Sequence, residues 1–209
     1  AIYWIEAKHN DHMATNLGST FDWNIDKNSK LAAGLQLASN KGMHYSTMED
    51  LLGAQTFHNV TTYAVGNYSS TASQLDFDIL NPNKKVGVGD RFRYDYDLYS
   101  QNAKMWLAYT INKGISHNFI TAKIGGSQLW RDGHMLNGFY DPKAGWDANA
   151  SYGKSKTARF LDGGFKIGST LNLGKGHAIT MGIGYEARAP HANVAFVSPE
   201  MNNNFVKNL

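Results

Sequence analysis

The stretch HAITMGIGYEARAPHANVAF, residues 177–196, decides how the fold is read. From Ile179 to Ala187 every odd position is apolar (Ile179, Met181, Ile183, Tyr185, Ala187), whereas Thr180, Gly182, Gly184, Glu186 and Arg188 hold the even positions. Side chains of a strand alternate between its two faces, so this is a ribbon with one greasy face and one small, polar or charged face. Alternation alone does not say whether the greasy face meets a second sheet or lipid.

The pattern recurs along the chain. Leu17, Ser19, Phe21, Trp23 and Ile25 alternate with Gly18, Thr20, Asp22 and Asn24; the turn run DKNS follows, and Leu31, Ala33, Leu35 and Leu37 continue the alternation. A second hairpin is predicted from Met105, Leu107, Tyr109 and Ile111 through NKGISHN (112–118) to Ile120, Ala122 and Ile124. A third runs from Leu161, Phe165, Ile167, Leu171 and Leu173 through GKGH (174–177) into the opening stretch. Six or seven strands are expected in all. Short turns join the members of each hairpin, while long segments at about 40–90 and 133–156 join one hairpin to the next. That sorting puts short turns at one end of a sheet and long loops at the other. A soluble sandwich has no need of it, but an outer-membrane barrel has short periplasmic turns and long extracellular loops.

The polar faces are largely Gly, Ala, Ser, Thr, Asn and Gln with single charges, which suits a crowded or water-filled lumen. Lys123, Lys166, Thr170, Thr180, Glu186 and Arg188 are the lumen-lining candidates. Phe21, Trp23, Tyr109, Phe119, Trp130 and Tyr185 fall near the ends of apolar stretches, as interfacial girdle residues do. Composition agrees with an all-β chain rich in turns: 21 Gly, 11 Tyr and 10 Phe among 209 residues, at a mean hydropathy of −0.42.

The net charge of +3 is scattered rather than blocked, which argues against a nucleic-acid partner. Absence of Cys excludes disulfides and thiolate metal sites without choosing a compartment. No apolar run reaches the roughly 18 residues of a spanning helix. With neither a starting Met nor a signal-like n-region, the chain is expected to begin after processing or inside a longer polypeptide.

Chemistry-bearing groupings are sparse. His9 and His12 of HNDH point to opposite faces if they lie on a strand, which disfavours a metal site. Asp95 and Asp97 share a strand face, and neighbouring Arg93 suggests a salt-bridged cluster rather than an acid–base pair. Ser127 lacks the G-x-S-x-G frame of a nucleophile elbow, and GVGD (87–90) is not followed by an amphipathic helix that could hold phosphate. Trp130, Arg131 and His134 of WRDGH sit at the mouth of a long loop. There they could grip a ligand by stacking and hydrogen bonding, although packing at the loop base is the commoner role for such residues. Asn59, Asn67 and Asn149 open glycosylation-type triplets of the kind that Asn- and Ser-rich loops produce by chance. No catalytic residue, cofactor or metal is expected.

MEDLLGA (48–54), NPNKKVGVGDRFRYDYDL (81–98), LWRDGHMLNG (129–138), ARFLDGGFKIGSTLNL (158–173) and YEARAPHANVAFVSPEMNN (185–203) form an ordered set covering most of residues 10–209. In order and spacing the set resembles the middle of the barrel of TonB-dependent outer-membrane receptors that carry an N-terminal carboxypeptidase-regulatory-like domain. The resemblance implies a plugged barrel of about 22 strands in the outer membrane of a Gram-negative bacterium, taking up a large nutrient (glycan, peptide or metal chelate) without enzymatic chemistry. It implies as partners outer-membrane lipid, the remaining strands and plug of the same receptor, and the TonB complex acting through the absent N-terminal region, and it leaves room for a surface lipoprotein. Residues 1–209 show no plug or TonB box and end in FVKNL, so they are expected to form part of a single β-barrel domain, an antiparallel transmembrane segment of a larger protein. The rival readings are a soluble secreted carbohydrate-binding β-sandwich and a small complete outer-membrane barrel with a structural or adhesive role.

Overall fold

The computed structural model describes residues 3–61, 76–137 and 151–206. Six long strands dominate: β1 (Ile5–Asn24), β2 (Ser29–Asp50), β5 (Arg91–Lys113), β6 (Ser116–Gly133), β8 (Ala158–Gly174) and β9 (His177–Ala187). They pair antiparallel in the order β1-β2-β5-β6-β8-β9, and the two-residue β7 (Gly153–Lys154) adds to the end of β6. A separate ribbon joins β3 (Phe57–His58) to β4 (Lys85–Val86), and one short helix, α1 (Ala192–Ala195), follows β9. The fold is all-β and antiparallel, as the alternation predicted. The sheet is open: β1 and β9 are its edges and do not pair with each other. Among the described residues no helix is long and apolar enough to cross a membrane.

The three tight turns lie together at one end of the sheet. Asp26 closes the first, its carboxylate accepting the backbone N–H groups of Asn28 at 2.7 Å and Ser29 at 2.9 Å. The second is shorter than the sequence suggested. NKGISHN was read as seven turn residues, yet Asn112 pairs with His117 and Lys113 with Ser116, leaving only Gly114 and Ile115 between the strands. Gly114 takes φ +58° at that bend. Polar side chains end the apolar stripe there without ending the backbone ladder, which needs only N–H and C=O groups. For the same reason β2 runs on to Asp50, so the first long connection spans 51–90 rather than 40–90.

Register settles the two faces. On one, Leu17–Leu37–Ala103 and Phe21–Ala33–Leu107–Ala122–Phe165–Tyr185 form rows across the sheet, with Trp23, Leu31, Tyr109, Ile120, Ile167 and Ile183 in the row nearer the turns. Most side chains of this face are exposed, with Leu17 66%, Met105 57%, Leu161 78% and Ile183 70% exposed, while Leu31, Ala33 and Tyr109 are partly buried. Among the described residues no second sheet covers them. Toward the loops the band stops at a polar row, Thr15–Ser39–Gln101–Gln128–Arg159. Gln101 donates to Ser39 at 3.3 Å and Gln128 to Gln101 at 2.8 Å. Phe119, expected in the girdle, lies on the opposite face, paired with Gly168, because it neighbours Ile120 and successive side chains alternate.

The buried clusters lie at the loop end. Met48, Leu51, Phe57, Val86 and Phe92 form one, with Trp4 and Ala54 against it. Tyr94, Tyr96, Leu98, Leu129, Ala195 and Phe196 form the other, with Ala158, Phe160, Ala192 and Phe205 packed around them. Because Tyr96, Leu98, Leu129 and Phe160 belong to the polar face, the second cluster shows that the segment after β9 folds back across that face.

Candidate functional site

All the lumen-lining candidates fall on one face. Lys123 pairs with Gly164 and Gly164 with Glu186; Thr121 pairs with Lys166 and Lys166 with Gly184; Thr170 pairs with Thr180, and Arg188 follows β9 at the same edge. The sequence suggested charges spaced singly. The sheet instead brings Lys123 Nζ to 2.6 Å from Glu186 Oε1 and joins the Thr170 and Thr180 hydroxyls at 3.0 Å. Two residues absent from the candidates, Lys104 and Asp162, complete the cluster at 4.0 Å. Asp162 is buried, takes the Ser127 hydroxyl, and accepts the Ala189 backbone N–H at 2.7 Å. Their one sequence signal was parity, since Lys104 and Asp162 stand on the polar side of their own strands; the strand register is what brings them together.

Glycine makes close cross-strand contacts possible on this face. Trp106 lies over Gly34, where an added Cβ would come within 2.4 Å of the indole ring, and Phe119 lies over Gly168, where it would come within 2.5 Å. The aromatic covers the bare backbone of its directly paired glycine.

Toward the loops a cap closes over this face. Phe196 bridges Phe205, Val197 N–H donates to Asn204 O at 3.0 Å, and Val206 N–H donates to Ala195 O at 2.9 Å, so residues 195–206 form a small hairpin. Arg131 bolts it down. Its guanidinium donates to Pro199 O, Ser151 O and Asn203 Oδ1, each at 2.6 Å, and lies 4.8 Å from the Tyr96 ring. Among the described residues no carboxylate forms an ion pair with it, and burial pushes its pKa down to about 10. Of the two roles open to Arg131, the structure shows packing at the loop base. The hub ties the ends of three chain segments together, and its carbonyl partners are not readable from WRDGH.

Trp130 and His134 point to the apolar face instead, beyond its polar row. Trp130 stacks on Tyr99 with ring centroids 4.9 Å apart, and Lys154 Nζ lies 4.6 Å above it. His134 bridges two carboxylates, Nδ1 at 3.0 Å from Asp95 and Nε2 at 3.5 Å from Asp97. Lys41 meets Asp97 at 2.7 Å and Arg91 meets Asp95 at 2.9 Å. The expected salt-bridged cluster forms, but not around Arg93. A bulge between Phe92 and Asp95, with Arg93 at φ +66°, turns Arg93 away to Glu6, whose two carboxylate oxygens both lie 2.7 Å from its guanidinium. Burial alone would raise the Glu6 carboxyl, but hydrogen bonds from Arg93 and Trp4 outweigh it and hold the pKa below the usual carboxylate value.

His9 and His12 stand on opposite faces of β1, and among the described residues no group of three His, Cys, Asp or Glu could hold a metal. Asn59 is buried and accepts the Arg93 N–H at 3.1 Å, a poor position for a glycan; Asn67 and Asn149 lie outside the described residues. Compared with protein-family models, curated proteins and solved structures, the chain gives no match.

Proposed function

We propose that this sheet is part of the wall of an outer-membrane β-barrel, with the apolar face toward lipid and the polar face toward a lumen. The observation that carries the reading is the exposed apolar band with its sharp polar upper limit. In β5 it runs from Ala103 to Ile111, about 27 Å along the strand at ~3.4 Å per residue. At a strand tilt of ~40° this is roughly 21 Å of depth, close to the ~25 Å apolar belt of outer-membrane barrels. In water such a band would be an aggregation surface; in lipid it is the solvent contact.

In this reading the edges of β1 and β9 pair with further strands of the same barrel, since unpaired N–H and C=O groups cost several kcal/mol each in hydrocarbon. A small barrel closed from these strands alone is the weaker reading, because its two end strands do not meet. The ordered set of resembling segments supports a TonB-dependent receptor: energised uptake of a large solute past a plug, the solute leaving chemically unaltered. Outer-membrane lipid and the TonB complex are then the partners, and the arginine-bolted hairpin narrows the outer mouth, as inward-folded segments do in plugged barrels.

Residues 1–209 hold no Cys, so single Cys substitutions can carry nitroxide labels in this segment of the intact, vesicle-reconstituted protein, with any Cys outside it replaced by Ser. A label at Leu107 is expected to be reached by oxygen dissolved in lipid and one at Thr121 by a water-soluble nickel complex. Equal access at both positions, or a protein that stays monomeric in water without detergent, rules the assignment out.

A further inference from the structure

Three consecutive levels of the polar face concentrate charge near the β9 edge. The first holds Lys104, Asp162 and, just past the strand, Arg188; the second holds Lys123 and Glu186; the third holds Lys166. Four cations therefore face two carboxylates. Both carboxylates are engaged: Glu186 by Lys123 at 2.6 Å, and Asp162 by Ser127, the Ala189 N–H and, more distantly, Lys104. Among the described residues Lys166 forms no ion pair with a carboxylate, its Nζ lying 5.5 Å from the Phe119 ring, whereas Arg188 lines the same small recess as Asp162 and Glu186.

Between these side chains the sheet is bare. Gly164, Gly182 and Gly184 floor a concavity of about 540 Å³ whose rim includes Trp106, Lys123, Lys166 and Glu186. Gly164 is held to glycine by packing, since a Cβ there would meet Tyr185 O at 2.6 Å and Lys123 Cε at 3.3 Å. The Trp106 indole supplies a flat wall beside the charges.

We propose that this concavity binds the oxyanion, a carboxylate or a phosphate, of a ring-bearing solute. Lys166 is the charge left for it on the rim, and Trp106 is the surface for the ring. A cation would meet net repulsion, and a neutral solute would leave the Lys166 charge unanswered. Lysine suits a site that must release its solute, being a flexible point charge rather than a rigid bidentate fork. That the site lies on a transport route rests on the barrel reading; that it binds an oxyanion rests on the cluster alone.

The test titrates the intact, detergent-solubilised protein with glucose 6-phosphate, glucuronate and glucose by calorimetry. Glucose is expected to bind at least about tenfold more weakly than the better anion, and K166Q to weaken that anion by about tenfold. The charge-preserving K166R should retain binding and so control for misfolding, and K113Q, at the exposed turn, should change nothing. Response to one anion only identifies that oxyanion as the ligand group. Trp106→Leu should reduce glucose 6-phosphate to the affinity of inorganic phosphate. The proposal is overturned if glucose binds as well as the anions, if neither anion binds, if K166Q leaves binding unchanged, or if K113Q weakens it equally; an unchanged preference over inorganic phosphate in Trp106→Leu removes the ring-binding part. Anion binding that persists while the nitroxide labels fail to separate lipid from lumen refutes the barrel and leaves the site standing.

Discussion

Leu107→Arg distinguishes lipid from water on the apolar face. Leu107 sits within the band on the central strand β5, between Ala33 and Ala122, and its side chain is 48% exposed. Were that exposure to water, arginine would be an ordinary surface substitution, changing stability by no more than about 0.5 kcal/mol. Facing lipid near mid-depth, the same change should cost about 2–4 kcal/mol, or roughly 30- to 900-fold in the folding equilibrium. Thr121→Arg, one residue from Leu107's partner Ala122 but on the opposite face, is the internal control and should cost under about 1 kcal/mol in a hydrated lumen. The assay is reversible denaturant titration of the intact protein in lipid vesicles, read by far-ultraviolet circular dichroism. Equal costs for the two substitutions, or a Leu107→Arg cost near zero, would refute the assignment of faces.

Arg131→Leu strands the carbonyls of Ser151 and Pro199 and the Asn203 amide oxygen without their donor; a local loss of about 2–4 kcal/mol is expected, seen as faster amide exchange in residues 188–206 while the β1–β2 ladder keeps its protection. Gly168→Val should cost about 1–3 kcal/mol, because its Cβ would meet the Phe119 ring at 2.5 Å and Met181 O at 2.8 Å. Gly18→Ala, whose nearest neighbour would be Leu35 O at 3.9 Å, should be close to neutral by the same denaturant measurement. The Arg93 and Trp4 hydrogen bonds hold the Glu6 pKa below the ordinary carboxylate value in the folded chain, so its contribution to stability is complete above the unfolded value and is lost as pH falls through the lowered one. Glu6→Gln should therefore destabilise at pH 7 and make little difference once both forms are protonated, and a pH-independent penalty in denaturant titrations would argue against the Arg93 pair.

Much of this architecture was legible before any coordinates. A period of two, read over 17–37, 103–124 and 161–187, yields the hairpins and assigns most side chains to a face, because side-chain direction is fixed by local backbone geometry. Strand ends were harder. Asn112, Lys113, Ser116, His117 and Asn118 interrupt the apolar pattern while their backbones stay in the ladder, and His44 and Tyr45 do the same in β2. Side-chain pattern reports burial, whereas the ladder reports hydrogen bonding, and the two part company beyond the apolar band.

What only the tertiary structure decided is who meets whom across distance. Lys104 and Asp162 are 58 positions apart in the chain and become neighbours through two successive registers, each fixed by where its turn falls. Arg93 leaves the Asp95 cluster because one bulge reverses its direction, and Arg131 is a buried hub because three loop carbonyls converge on it. The sequence by itself determined the faces of the sheet, since alternation is a local property. The partners within each face came from register, bulges and chain return, which are properties of the assembled backbone.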